Sequence, residues 1–408
     1  MRRFLHGHAT HPDWRIALGL AAAQIDAQRD PSAGAPTLGW IYLTDRYADQ
    51  AEALLGELRR RWPGVEWIGA TGVGVAASGV EYFDEPALAL LLTDLPRESF
   101  RVFSGAAPLR RFAASTAQVH ADPAAADLNE LIRDMSARTA TGYLFGGLAA
   151  SRETPVHIAN DALAGGLSGV AFAADVEVVS RVTQGCQPFG PSREISAADG
   201  NVITVLDGEP ALDCLLRDLR ADSTDPRDAL PRLRETMVGL SDPNDACDDG
   251  AASGARRGAF GADTRVRHLI GIDTARRGIA IGDLAEPGMR LAFCSRNAEA
   301  ARRDLMRICA EIREETEPEA LPLATAEALK NAGPSEPGPT QSGIAGAIYI
   351  SCAGRGGPHF GAPSAELQIV RHALGDVPLA GFFAAGEIAR HHVYGYTGVL
   401  TVFRADPD

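Results

Sequence analysis

Apolar positions along this chain recur at two alternating periods. From Pro12 onward, Trp14, Ala17, Leu18, Ala21 and Ile25 keep helical spacing and predict a helix to about Gln28, with Pro12 in a first turn that tolerates it. LGWIYLTD, Leu38 to Asp45, is continuously apolar and predicts a strand buried on both faces. Ala48 to Arg61 returns to helical spacing through Ala51, Leu54, Leu55 and Leu58. The runs VEWIGATGVGVAASGVEYFDEPALALLLTDLP and SFRVFSG read as short strands whose turns are too brief for crossover helices, which predicts antiparallel neighbours. A helix over Ala126 to Ala137, a strand over Thr141 to Phe145 and two runs through Val170 to Val182 complete this half.

The second half begins at GCQPFGPSREI, where Pro188 and Pro191 restrict the backbone and suit a rigid connector. A strand at GNVITVLDG follows, then a helix from Pro210 with Leu212, Leu215, Leu216 and Leu219 on one face. VRHLIGID and GIAIGDL read as hairpin strands, followed by MRLAFC and a helix from Ala298 to Glu314. GAIYISCAG, a helix over Ser364 to Leu374, LAGFFAAG and YGYTGVLTVF close the chain. Ser241 to Gly261 and Glu315 to Gln341 carry turn-forming composition and read as excursions or linkers. One parallel suggests duplication: IYLTD, helix, WIGATG and LALLLTDL in the first half match IYISC, helix, GFFAAG and GVLTVF in the second.

Composition narrows the partners. With 408 residues and 45% apolar content, the chain holds enough material for two domains with sizeable cores. Its net charge of −14 argues against nucleic acid and anionic membranes, whose binding rests on Lys and Arg against phosphate. Arg59, Arg60 and Arg61 suit a helix C-terminus. The lack of a bilayer-length apolar run and of a signal-peptide pattern predicts no membrane insertion and a cytoplasmic location. Cys186, Cys214, Cys247, Cys294, Cys309 and Cys352 show no metal spacing and read as free thiols.

Enzyme signatures mostly fail, and the chain reads as a non-enzyme, with an enzyme of unknown reaction kept as the last alternative. GLSGV lacks the nucleophile-elbow spacing, and ATGVGVAASG is neither a dinucleotide fingerprint nor a P-loop. His6, His8 and His11 sit at a chain end and His391-His392 are neighbours expected on opposite strand faces, so no metal site is expected. SCAGRGGPHFGAPSAE is more informative, because Arg355 follows a buried strand among glycines and precedes a helix. An arginine there either holds a ligand carboxylate or pairs with a buried acid, for which Glu387 in AAGEIAR is the candidate. Cys352 reads as a core cysteine, with a thiolate role as its alternative.

Several segments in order resemble the FIST family, an N-terminal FIST domain followed by its C-terminal companion. They are WIGATGVGV, FDEPALALLL and GGLSGVAF, then TQGCQPFGP, DGNVITVLDGEPALD, VRHLIGID, FCSRNAEAARRDL, SCAGRG, and GFFAAGEIAR with YGYTGVLTVF. The resemblance implies a bacterial sensory module that binds a small molecule such as an amino acid. It also implies signalling to a separate partner, a histidine kinase or a cyclic-dinucleotide enzyme in trans. Stand-alone members that bind haem and sense nitric oxide make a haem gas sensor the alternative. Many members carry a histidine where this chain has Tyr394, so that residue's role does not transfer. His359, His391 and His392 lie nearby in sequence.

The expectation is a mixed α/β (α+β) protein whose sheets contain antiparallel meanders flanked by helices. It divides into an N-terminal domain, residues 1–184, and a C-terminal domain, residues 185–408. No catalytic residue is expected. The ligand site is expected at Arg355, Glu387 and Cys352, with Gly185, Cys186 and Tyr394: Arg355 takes an anionic group, and Glu387 takes an amine or holds Arg355.

Overall fold

A computed structural model describes residues 4–30, 34–220, 232–242, 264–317 and 343–405. The stretches expected to be loose, and Cys247 with them, fall almost wholly outside the described residues. The fold is mixed α+β and groups into two compact units. Unit 1 comprises residues 1–182, 305–392 and 398–408; unit 2 comprises 183–304 and 393–397.

The chain begins unit 1 with β1 (Phe4–Thr10), α1 (Trp14–Gln28), β2 (Leu38–Thr44), α2 (Ala51–Arg61) and β3 (Glu66–Gly72). A hairpin of β4 (Gly74–Ala77) and β5 (Val80–Phe83) follows, then β6 (Ala87–Thr93). The next stretch repeats the plan with β7 (Phe100–Phe103), β8 (Thr116–Ala121), α3 (Leu128–Ser136) and β9 (Leu144–Leu148). Its hairpin is β10 (His157–Ala159) with β11 (Asp161–Leu163), before β12 (Leu167–Phe172) and β13 (Val178–Gln184).

Unit 2 then intervenes. It holds β14 (Cys186–Pro188), β15 (Arg193–Asp199), β16 (Val202–Leu206), β17 (Glu209–Pro210), α4 (Ala211–Asp218) and β18 (Met237–Ser241). β19 (Arg265–Asp273), β20 (Gly278–Ile281) and β21 (Arg290–Arg296) follow, and α5 (Ala298–Thr316) carries the chain out again. A third copy of the plan finishes unit 1. It comprises β22 (Ile344–Cys352), the short α6 (Gly357–Phe360), α7 (Ala365–Leu374), β23 (Leu379–Ala384), the pair β24 (Glu387–Arg390) and β25 (His392–Tyr394), and β26 (Thr397–Arg404).

Three six-stranded sheets result, in the orders β1-β6-β2-β3-β10-β11, β7-β12-β8-β9-β24-β25 and β13-β26-β22-β23-β4-β5. In each, a strand–helix–strand crossover makes the central pair parallel, and the following strand runs antiparallel to the first of that pair. In each, the outer hairpin comes from another repeat: β4 pairs with β23, β10 with β3, and β24 with β9. The suspected duplication is therefore a triplication with hairpins exchanged in a ring.

The register confirms the equivalence. Gly69, Gly146 and Gly381 stand opposite Ile41, Val119 and Tyr349 on the neighbouring parallel strands. A Cβ at any of the three would collide with the carbonyl oxygen of that partner, so close strand approach demands glycine there. Where each strand hands over to the next sheet, one backbone bond recurs: Val73 N–H to Phe383 O at 3.3 Å, Ala150 N–H to Thr71 O at 2.9 Å, and Ala385 N–H to Leu148 O at 3.1 Å.

The first crossover packs on Ile41, Leu43, Tyr47, Leu54, Leu55, Leu58 and Trp67, one buried apolar cluster. On the other face of the same strand, Trp40 Nε1–H donates to Gln118 Oε1 at 2.7 Å and Gln118 Nε2–H donates to Tyr42 Oη at 2.7 Å. Tyr42 Oη continues to His120 Nε2 at 3.3 Å. His120 is fully buried, and desolvation pulls it down to about 3, so it stays neutral.

In unit 2, antiparallel pairing runs β21-β15-β16-β20-β19-β18 and returns from β18 to β21, closing a six-stranded barrel. Ile195, Ile203, Val238, Ile279, Leu291 and Phe293 fill it, together with Ala211, Cys214 and Leu215 of α4. The expected hairpin of VRHLIGID with GIAIG is β19–β20. The expected connector GCQP is itself a strand, β14, hydrogen-bonded to β21.

Candidate functional site

β22 is buried on both faces, and its residues alternate in chemistry as well as direction. Ile348 and Ile350 share one face; Tyr349 and Ser351 point to the other, toward α7. Past Cys352 the chain turns tightly, with Arg355 N–H donating to Cys352 O at 2.8 Å. Gly356 takes φ 78 where an added Cβ would strike Phe83, so the turn requires glycine. α6 ends at Gly361 in the left-handed region, and α7 starts after Ser364.

Glu366, in the first turn of α7, is the hub of the site. Its carboxylate accepts from Tyr349 Oη at 2.7 Å, Ser351 Oγ at 3.2 Å, Arg355 Nε at 2.8 Å and Gly356 N–H at 3.0 Å. Arg355 Nη2 also lies 2.8 Å from Glu366 Oε1, with the two side chains 1% and 0% exposed. The guanidinium stands 5.2 Å from the Phe360 ring centroid. Burial by itself would lower the Arg355 pKa, but the Glu366 carboxylate outweighs it and the group is held above its ordinary value. Burial and the same carboxylate push Tyr349 far above the usual phenol range.

Two further carboxyls border this pair. Glu81, on the hairpin exchanged from the first repeat, accepts the Leu367 N–H at 3.1 Å, while its own N–H donates to Ser364 Oγ at 3.0 Å. It thus caps α7 from another repeat. Burial pushes it up to about 7; the Leu367 N–H opposes that and the Glu366 charge adds to it. Glu387 is fully buried on β24, opposite Gly147, and its charge acts on Arg355. Cys352 is half-buried at the end of β22, its Sγ accepting from Gly354 N–H at 3.5 Å.

Arg355, Glu387 and Cys352 therefore fall together in unit 1, and Glu366, which the sequence did not single out, is a carboxylate bonded to Arg355. Gly185, Cys186 and Tyr394 fall in unit 2. There Gly185 N–H donates to Tyr396 O at 3.0 Å, and Tyr394 is buried beside Arg267, whose Nη2 donates to Val393 O at 2.9 Å. Two small cavities in unit 1, about 20 Å³ beside Leu5, Arg29 and Asp94 and about 10 Å³ beside Gly79 and Val370, are lined by neither Arg355 nor Glu387.

His8 and His11 have separate neighbours. His8 Nδ1 meets Tyr82 Oη at 2.6 Å, and His11 Nδ1 accepts the Asp13 N–H at 2.9 Å. Among the described residues no three potential ligands cluster. His391 and His392, expected on opposite faces, have ring centroids 4.0 Å apart at the turn between β24 and β25, which follows Arg390 at φ 55. Ser168, in GLSGV, bonds His157 Nδ1 at 2.6 Å, with both side chains buried as a tie between β12 and β10.

Residues 37–209 match the FIST N domain and residues 211–390 the FIST C domain. The chain belongs to the FIST family. An uncharacterized protein of Mycobacterium tuberculosis strain H37Rv is 30% identical over 421 residues, spanning 97% of this chain and 98% of its own. A protein of Mycobacterium bovis, also uncharacterized, is 29% identical over 425 residues and 98% of each chain. FIST domains are sensory domains of signal transduction that bind small ligands. The two FIST matches meet at 209–211, inside unit 2, whereas the third repeat of unit 1 draws β13 from the first match and β22–β24 from the second. No helix of the described residues is long and apolar enough to cross a membrane.

Proposed function

We propose that this FIST protein senses a small ligand at the Arg355–Glu366 cluster and passes the signal to a separate partner, a histidine kinase or a cyclic-dinucleotide enzyme. One observation carries the reading. Where the strand positions beside the obligate glycine carry Ile41 and Leu43 in the first repeat and Val119 and Ala121 in the second, the third carries Tyr349 and Ser351, both bonded to Glu366. Equivalent scaffolds fold with apolar residues there, so the charge answers a demand other than folding. Replacing a buried ion pair by apolar residues is commonly neutral or stabilising.

Arg355, Glu387 and Cys352 remain the proposed contacts, now with Glu366 and Glu81. Arg355 already has a counter-ion, so an incoming carboxylate competes with Glu366 for it. The carboxyls of Glu81, Glu366 and Glu387 outnumber the single guanidinium and favour an ammonium group. An amino acid supplies both. Displacing Glu366 disturbs the start of α7 and the hairpin bearing Glu81, which gives ligand-bound and ligand-free states different contacts, as any shift of population requires. Gly185, Cys186 and Tyr394 are assigned no ligand contact in this scheme.

The test is a thermal-shift panel of amino acids on the natural chain and on Arg355→Met/Glu366→Leu. The natural chain should gain several degrees with one ligand, and the double variant should fold yet gain none; an undiminished shift in the variant overturns the assignment. The amino acid is preferred to haem because the guanidinium and carboxyls of the cluster match a carboxylate and an ammonium group. A Soret band after haem loading would reverse that preference.

A further inference from the structure

Unit 2 contains a feature that ligand sensing at Arg355 does not use. β14 and β21 are antiparallel neighbours, with Cys186 opposite Arg296 and Cys294 opposite Pro188. The two cysteines are thus diagonal partners two residues apart in register, on one face of the sheet. The two side chains pack with Met237 and Val266 in one buried cluster, with Tyr396 against it, and the Cys186 thiol acts on the ionisation of Cys294. They stand more than a hundred positions apart in sequence, so only the fold joins them. The other described thiols have different neighbours: Cys214 accepts from Arg217 Nη2 at 3.4 Å, and Cys352 from Gly354.

We propose that Cys186 and Cys294 form a reversible dithiol–disulfide site, oxidised by a peroxide and read out through the Tyr396 strap. The roles of the two sulfurs differ. The neighbouring Cys186 thiol, and then burial, push the Cys294 thiol up, which favours its protonated form. Cys186 also lies on β14, the edge strand of its sheet, and is 4% exposed against 0% for Cys294. The Cys186 thiolate attacks one peroxide oxygen; the O–O bond breaks, leaving a sulfenic acid and, after protonation, an alcohol or water. The Cys294 sulfur then attacks the sulfenic sulfur, and its proton leaves with the hydroxyl as water. Two thiols and one peroxide give one disulfide, one alcohol and one water, and a thiol reductant reverses the change.

The readout follows from what holds Tyr396. Its carbonyl accepts the Gly185 N–H, one residue from Cys186; its hydroxyl meets His268 Nε2; and Arg296 lies 5.3 Å from its ring centroid. Tyr396 sits at φ 61, a left-handed conformation unusual for an aromatic residue and held by those contacts. Drawing Cys186 toward Cys294 moves Gly185, and with it the strap.

The test uses the full reduced chain, exposed to stoichiometric hydrogen peroxide, alkylated under denaturing conditions and mapped by peptide mass spectrometry. The expected product links the Cys186 and Cys294 peptides, leaves the other cysteines alkylated, and reverts with dithiothreitol. In Cys294→Ser, Cys186 should be trapped by dimedone as the sulfenic acid. Alkylation of both Cys186 and Cys294 after treatment, with oxidation falling on half-buried Cys352 instead, overturns the proposal. The mapping needs no variant, so it stands if Cys294→Ser fails to fold.

Discussion

In the first repeat the crossover helix α2 covers Ile41, Leu43 and Tyr47, and the glutamate in its first turn, Glu52, has a side chain 64% exposed. In the third repeat the helix α7 covers Tyr349, Ser351 and Arg355, and its first-turn glutamate, Glu366, is fully buried. Strand order, register and the obligate glycine are the same. The difference teaches that the scaffold does not need the polar set, so the stability of the third repeat and its chemistry can be separated by experiment.

The largest expected effect contrasts the two glutamates. Glu366→Ala strands the Arg355 charge in the interior and should cost about 3–5 kcal/mol in urea unfolding, whereas Glu52→Ala should stay within about 0.5 kcal/mol. Equal effects would break the comparison. Next comes Glu81. Its carboxyl titrates near 7 when folded and near 4.5 when free, so the folded state keeps its proton while the unfolded state loses it. Stability is full below 4.5, falls as pH rises toward 7, and the total loss is about 3 kcal/mol. Glu81→Gln should flatten that slope between the two pH values while keeping an acceptor for Leu367.

The equivalent glycines sharpen the shared part. Gly69→Ala, Gly146→Ala and Gly381→Ala should each cost about 1–3 kcal/mol, with Gly146→Ala the worst because it also sits at φ 155. A neutral result at one site would remove that repeat from the set. The smallest effect is at the surface. Asp161, on the hairpin exchanged into the first sheet, pairs with Arg59 of α2 at 2.9 Å with both side chains exposed, so Asp161→Ala should cost less than about 1 kcal/mol.

The helices and the buried central strands were legible because each carries its own period. LGWIYLT and the helix through Leu54 and Leu58 needed no distant partner to be recognised. The parallel between the first and third repeats was legible for the same reason. The second repeat was not, because Gln118 and His120 interrupt β8 with polar residues whose partners, Trp40 and Tyr42, lie in another repeat. Glu366 was hidden for a similar reason. A glutamate in the first turn of an amphipathic helix reads as solvated, and only β22 folded beside it reveals the hydroxyls and guanidinium that hold it. Glu81 left no local signal at all, since its hairpin precedes the rest of the site by most of the chain.

The ring of exchanged hairpins bears on how the protein is made. β7, β8 and β9 leave the ribosome well before β24 and β25, the strands that complete the outer edge of their sheet. Likewise β4 and β5 wait for β23. Edges that must stay open for so long invite pairing with other chains. A truncation inside the last repeat therefore strands partners in both earlier ones.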